Sequence, residues 1–353
     1  MKKIGILTSG GDCPGLNATI RGVAKSCYEI MDNAEIIGIQ NGYYGLINNI
    51  AREMKPSDFS GILTLGGTIL GSKRQPFKML SMDEEKIKAM KDTYKKLKLD
   101  CLLTLGGCGT HKTANLLSTE GLNVIGLPKT IDNDIFGTDY TFGYYTAIDI
   151  ATECIDRLHT TATSHSRVMV CEIMGNKVGW LTLSAGIAGG ADIILIPEIP
   201  YDIDKLISAV TKRAENGKSF SIIAVAEGAY DVNEAKMKKK ERAKKREEEH
   251  IITATNRIVA QIQNATGMDT RACVPGHILR GGSPNAFDRI LATKLGAKAA
   301  ELIKEENFGK TVALVNNKIT TNKLSDIAGI TKFIEEDNQL LLTAKDIGIH
   351  FGV

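Results

Sequence analysis

The stretch Asn123-Val124-Ile125-Gly126-Leu127-Pro128-Lys129-Thr130-Ile131-Asp132-Asn133-Asp134 decides how this chain is read. Its first half is a short, β-branched apolar run closed by proline, the pattern of a buried strand. Its second half offers a lysine, a threonine, two carboxylates and an amide, which reads as a reactive loop at the end of that strand. One carboxylate there can take a proton while the other, two positions on, holds a cation. An Asx-rich turn capping the next helix is the alternative, because Asp and Asn readily bond their own backbone.

Three apolar runs upstream also end in glycine. Ile4-Gly5-Ile6-Leu7-Thr8 leads into Ser9-Gly10-Gly11-Asp12-Cys13-Pro14-Gly15 and a helix over Ala18 to Met31. Ile62-Leu63-Thr64-Leu65 leads into Gly66-Gly67-Thr68-Ile69-Leu70-Gly71-Ser72-Lys73-Arg74. Cys101-Leu102-Leu103-Thr104-Leu105 leads into Gly106-Gly107-Cys108-Gly109-Thr110 and a helix from about His111 to Ser118. Glycines between strand and helix let backbone N–H groups face a phosphate at the positive end of the helix. Neither the P-loop nor the spaced-glycine dinucleotide pattern is present. As strands of one parallel sheet, these runs place their loops at its carboxyl edge, where ligands bind. A polyphosphate site is the expectation, with Lys73 and Arg74 either meeting it or forming a solvated surface pair.

Downstream, a helix is expected from Thr146 to about Thr161. The strand-like runs Val168–Ile173, Ala191–Pro197 and Ser221–Ala226 then imply a second sheet alternating with helices. The charge-dense run from Glu234 to His250 reads as a solvated helix that projects as an insertion. Thr270 to Pro284 brings Arg271, His277 and Arg280 around a strand. With Arg167 the two arginines can form a forked cage for a sugar phosphate, although each alone is more often a surface ion-pair residue.

Composition excludes several classes. With 353 residues, 43% hydrophobic and 24% charged, the chain is an ordinary soluble protein long enough for two domains. No apolar run approaches the roughly 18 residues of a membrane span, and Met1-Lys2-Lys3 leads straight into a strand, so a cytoplasmic location is expected. Seven scattered cysteines argue for reduced thiols. A net charge of +3 is too small to imply nucleic acid.

The ordered motifs Gly-Gly-Asp-Cys-Pro-Gly-Leu-Asn, Gly-Gly-x-Gly-Thr, Pro-Lys-Thr-Ile-Asp-Asn-Asp, Ser-His-Ser-Arg-Val, Met-Gly, Ala-Glu-Gly-Ala and Gly-His-Ile-Leu-Arg-Gly-Gly-Ser-Pro run from about Ile4 to Leu295. Together they resemble the phosphofructokinase family. The resemblance implies an α/β fold of two doubly wound, Rossmann-like domains with mainly parallel sheets and the active site in the cleft between them. Residues 1–143 with about 279–328 would bind the phosphoryl donor. Residues 144–278 with about 329–353 would bind the sugar phosphate and carry the charged insertion at about 234–250.

By position, the resemblance makes Asp132 the base for the 1-hydroxyl of fructose 6-phosphate, with Thr130 beside it, and gives Asp134 to Mg²⁺. Met174, Gly175, Asn176, Glu227, His277 and Arg280 would hold the sugar phosphate. Arg167 and Arg271 match arginines that reach across a subunit interface, implying a homodimer or homotetramer. Gly11, Tyr43, Lys73, Arg74, Cys108, Gly109 and Thr110 would receive the donor. In the family, glycine at the position of Gly109 leaves room for ATP, whereas aspartate favours pyrophosphate. Lys129 resembles the lysine that pyrophosphate-dependent members place at the transferring phosphate.

Two positions depart from the family pattern. Cys108 stands where a carboxylate usually helps hold Mg²⁺, a poor exchange for a hard cation. Asn176 stands where an arginine is usual, which removes a cation near the phosphoryl group in flight. The reading is therefore ATP-dependent phosphorylation of fructose 6-phosphate. A pyrophosphate-dependent enzyme and a weakly catalytic, ligand-binding paralogue are the alternatives.

Overall fold

Runs that are apolar without alternation become strands buried on both faces, which is how parallel sheets covered by helices read in sequence. In the computed structural model, which describes residues 2–248 and 253–353, this is the rule; Glu249 and His250 of the charged run lie outside the described residues. The strands are β1 (Lys2–Thr8), β2 (Ala34–Ile39), β3 (Ala51–Met54), β4 (Cys101–Gly106), β5 (Val124–Pro128), β6 (Val168–Ile173), β7 (Ile193–Leu195), β8 (Ser221–Ala226), β9 (Thr270–Cys273), β10 (Lys310–Val315) and β11 (Lys318–Lys323). Every residue of β4, β5, β6 and β8 is buried.

The chain forms two units, Met1–Thr146 with Arg280–Lys332, and Ala147–Leu279 with Phe333–Val353. Among the described residues, the first holds a sheet of order β11-β10-β5-β4-β1-β2-β3. It is parallel from β10 to β2, with antiparallel β11 and β3 at its edges. The order reverses between β4 and β1, the place where doubly wound sheets open a crevice for ligands. Register aligns Thr8 with Leu105 and Gly106 with Pro128, so the loops after β1, β4 and β5 leave one edge side by side. Leu7, Ile39, Tyr43, Leu102, Leu117 and Val124 pack in the core beneath it.

One expected strand is absent. Ile62–Thr64 is a single 3₁₀ turn entered through left-handed Gly61. The backbone groups just beyond it, which a strand would need for pairing, are taken by Asn17. That amide donates to the carbonyls of Leu65 (3.2 Å) and Gly66 (3.1 Å) and accepts from the N–H of Ile69 at 2.8 Å. Antiparallel β3 already occupies the place beside β2.

The second unit holds the fully parallel sheet β7-β8-β6-β9, with Val170, Leu195, Ile223 and Ile258 in its core. The charged run forms the helix Lys239–Glu248, but it does not simply project. Arg246 donates to both carboxylate oxygens of Glu234, at 2.7 and 2.8 Å, and to the carbonyl of Ala229 at 2.9 Å. The Arg242 guanidinium lies 4.0 Å from the centre of the Tyr230 ring.

Candidate active site

In the first unit, the loop after β5 is organised around Asn133. This residue is buried and left-handed (φ 52°), a conformation asparagine tolerates better than most. Its side chain accepts from the N–H of Thr141 at 3.1 Å and donates to the carbonyl of Asp139 at 3.1 Å. Thr130 Oγ1 accepts from the N–H of Asp132 at 3.1 Å, and Thr141 Oγ1 donates to the Thr130 carbonyl at 2.7 Å. Asp132 and Asp134 thus flank the pivot of a turn that is tied down on both sides.

Lys129 is only 4% exposed and sends its ammonium under the first glycine loop, where it donates to the carbonyl of Gly11. Burial pushes its pKa down; the Cys13 thiol, Asp132 and Asp12 pull the other way, while Arg280 adds to the depression. The Arg280 guanidinium occupies the space a side chain at Gly11 would need, and its buried Nε has no hydrogen-bond partner. Gly11, Asp12, Lys129, Asp132 and Arg280 therefore gather at one edge of one sheet. Sequence reasoning passes over Asp12, whose only signal is its place in the glycine turn.

The helix Cys108–Thr119 starts beside them with no side-chain cap at Gly107, so the positive end of its dipole lies at this edge. The thiol of Cys108 is half-buried, Gly109 is exposed, and a side chain at Gly109 would meet nothing within 4 Å. Thr110 is buried and fills the space a side chain at Gly106 would need. The loop from Gly66 to Arg74 is strapped over the first loop by Ser72 Oγ, which donates to the Gly10 carbonyl at 2.5 Å. Thr8 Oγ1 adds a bond to the carbonyl of Gly71 at 2.7 Å.

Tyr43 requires a correction. It is 1% exposed in the core, and its hydroxyl is spent on the carbonyl of Thr110 at 3.0 Å, so it braces the start of the helix and presents nothing to a donor. Its neighbour Tyr44 carries the Lys73 ammonium 3.7 Å above its ring centre. Lys73 and Arg74 are exposed.

Among the described residues no group of three or more His, Cys, Asp or Glu could cage a metal ion. Mg²⁺ commonly binds through one or two carboxylates plus substrate phosphates and water, so a single carboxylate such as Asp134, in the loop at the carboxyl end of β5, fits that mode, and the Cys108 thiol adds little.

In the second unit, the ends of β6 and β8 meet. The N–H of Glu227 donates to the Ile173 carbonyl at 2.8 Å, and that of Gly228 to the Gly175 carbonyl at 3.0 Å. Gly175 has φ 145°, and a side chain at Gly228 would fall on the backbone of Asn176, so glycine is required at both. Met174, Gly175, Asn176 and Glu227 are thus brought together. His277 is exposed on the 3₁₀ turn Gly276–Arg280.

Of the three arginines expected in a cage, two meet within the second unit. Arg167 and Arg271 are joined through Asp269, at 2.6 and 2.7 Å, where β6 and β9 begin. That is about 20 Å along β6 from Met174, at about 3.3 Å per residue. Arg280 lies instead over Gly11 in the first unit. Asp269 is a second residue that sequence reasoning missed; its signal is its position directly before Thr270-Arg271.

Comparison with known proteins gives the family. The family described as Phosphofructokinase matches residues 3–303. The ATP-dependent 6-phosphofructokinase of Spirochaeta thermophila is 53% identical over 99% of this chain and 98% of its own length. ATP-dependent 6-phosphofructokinase 3 of Bacteroides thetaiotaomicron is 44% identical over 99% of this chain and 100% of its own. The solved phosphofructokinase of Saccharomyces cerevisiae superposes with a TM-score of 0.79 at 32% identity, over 92% of this chain and 45% of that one. With one family matched across most of its length and two near-full-length relatives, this chain belongs to the phosphofructokinase family.

Proposed function

We propose that the protein transfers a phosphoryl group from ATP to the 1-hydroxyl of fructose 6-phosphate, giving fructose 1,6-bisphosphate in the cytoplasm. The observation that carries this reading is the gathering of Gly11, Lys129, Asp132 and Arg280 at the carboxyl edge of one sheet. A base thereby sits among fixed cations beside an uncapped helix start. Phosphoryl transfer asks a protein chiefly for such positioning and charge stabilisation.

Asp132 takes the proton of the attacking hydroxyl, and Thr130 sets its backbone. Lys129 and the N–H groups at the start of the helix Cys108–Thr119 receive the negative oxygens of the donor. Asp134 would hold Mg²⁺, which would supply charge to neutralise the donor's phosphates. Met174, Gly175, Asn176, Glu227 and His277 hold the sugar phosphate, so the first unit serves the donor and the second the acceptor. Arg167 and Arg271, at the far end of β6 and β9, serve a second copy of the chain in a homodimer or homotetramer.

The open space at Gly109 and the ATP-dependent names of the relatives support ATP over pyrophosphate. No helix among the described residues is long and apolar enough to cross a membrane.

The test is fructose 6-phosphate turnover with Mg-ATP, Mg-pyrophosphate or no donor. Turnover is expected with ATP alone, falling by about 10²-fold or more in Asp132→Asn. Turnover only with pyrophosphate, or none with either donor, overturns the reading.

A further inference from the structure

Lys332 is joined to the loop after β5 across a long stretch of sequence. Its backbone N–H donates to the carbonyl of Asp134 at 3.0 Å, and next to it Thr331 bridges Ile135. Its ammonium donates to the carbonyls of Thr138 at 2.9 Å and Asp139 at 2.8 Å. The Asp139 carbonyl is also the acceptor for Asn133, the left-handed pivot between Asp132 and Asp134. The far side of the loop is pinned to β10. Thr138 Oγ1 accepts from the N–H of Leu314 at 3.0 Å, and the N–H of Asp139 donates to the Leu314 carbonyl at 2.7 Å.

Two carbonyl dipoles thus converge on one ammonium, and without it the Thr138 and Asp139 carbonyls would both lose a charged donor. From these contacts we propose that Lys332 is a positioning residue for phosphoryl transfer, closing the Asn133–Thr141 loop so that Asp132 and Asp134 keep their separation and aim. It acts through the Asp139 carbonyl and Asn133 on one side and Asp134 on the other. This inference rests on the roles given above to Asp132 and Asp134.

The role differs from general stabilisation in what it would move. A loosened loop leaves the groups that bind the sugar phosphate in the second unit alone and disturbs the base and the cation ligand. Lys332→Met is therefore expected to lower kcat at least tenfold while the KM for fructose 6-phosphate stays within about threefold. The Mg²⁺ concentration giving half-maximal rate should rise several-fold, and Lys332→Arg should recover part of kcat.

A second readout needs no turnover. Amide hydrogen exchange in Lys332→Met should accelerate in residues 133–141 while β1 and β4 keep wild-type protection. If Lys332→Met does not fold, Lys332→Gln replaces it, since its amide keeps a donor and loses the charge. Unchanged kcat with unchanged exchange in the loop overturns the proposal. So does a uniform rise in exchange across the first unit with a fall in kcat that matches the loss of folded protein. A wild-type protein without fructose 6-phosphate turnover would sink the functional reading instead, and the exchange measurement would still decide whether Lys332 holds the loop.

Discussion

A side chain added at Gly109 meets no atom within 4 Å, whereas one added at Gly228 would fall on the backbone carbonyl of Asn176. Gly109→Asp should therefore raise the melting temperature slightly, since it also puts an acid in the first turn of the helix Cys108–Thr119, yet lower kcat/KM for ATP by about tenfold or more, because its carboxylate would repel the phosphate oxygens proposed to bind there. Gly228→Ala should do the reverse and lower stability by about 1–3 kcal/mol, read from the urea midpoint, since the obstacle is backbone that cannot rotate away. Cys108→Asp places an acid at the first turn of a helix that has none, so it should gain about 0.3–1 kcal/mol. It should also lower the Mg²⁺ needed for half-maximal rate. A melting temperature that drops and an unchanged Mg²⁺ requirement would contradict this account of the thiol. Cys108 is legible in sequence because it interrupts a run of glycines, and Gly109 because it continues one. Tyr43 is not, because two adjacent tyrosines differ only in which one the helix turns toward the core.

The helix Lys239–Glu248 owes its place to two residues that composition hides among many charges. Glu234 is 1% exposed and held between Arg246 and Arg257, the latter at 2.8 Å. Arg246→Met leaves Glu234 buried with one guanidinium, and should cost about 1–3 kcal/mol in urea unfolding. It also frees the Ala229 carbonyl two residues after Glu227, so the KM for fructose 6-phosphate should rise more than kcat falls. An Arg246→Met protein with wild-type stability would show that the helix is only a solvated decoration. The run Ile62–Leu65 teaches the same lesson from the other side. Its β-like composition is real, but Asn17, far upstream on another element, takes the backbone groups around its end.

Stability against acid draws on groups in both units. Burial pushes the His111 imidazole down to about 4. The Gly107 carbonyl can only accept, so Nδ1 carries the proton toward it, and the unprotonated Nε2 lies 3.0 Å from Thr311 Oγ1. The unfolded imidazole titrates near 6.5, so this contribution is complete above about pH 6.5 and drains away as pH falls toward 4. For Glu234, burial would raise the pKa, but bonds and charge from Arg246 and Arg257 outweigh it and hold the carboxyl at about 2. Its contribution is complete above its unfolded value and is lost as pH falls from there toward 2. Urea midpoints measured against pH should therefore decline in two stages, and His111→Gln should flatten the upper one; an unaltered slope would contradict the assignment. By itself the sequence determined the parallel strands β1, β4, β5, β6, β7 and β8, the glycine and aspartate loops beside them and the family, because strand patterning and turn chemistry are written within a few neighbouring residues. Only the tertiary structure decided which cations go together. Arg280 joins Gly11, Arg167 joins Arg271 through Asp269, and Lys332 reaches 194 residues back to Thr138. A guanidinium or ammonium looks the same anywhere in a chain, and its partner is chosen by the sheet order and the burial that folding imposes.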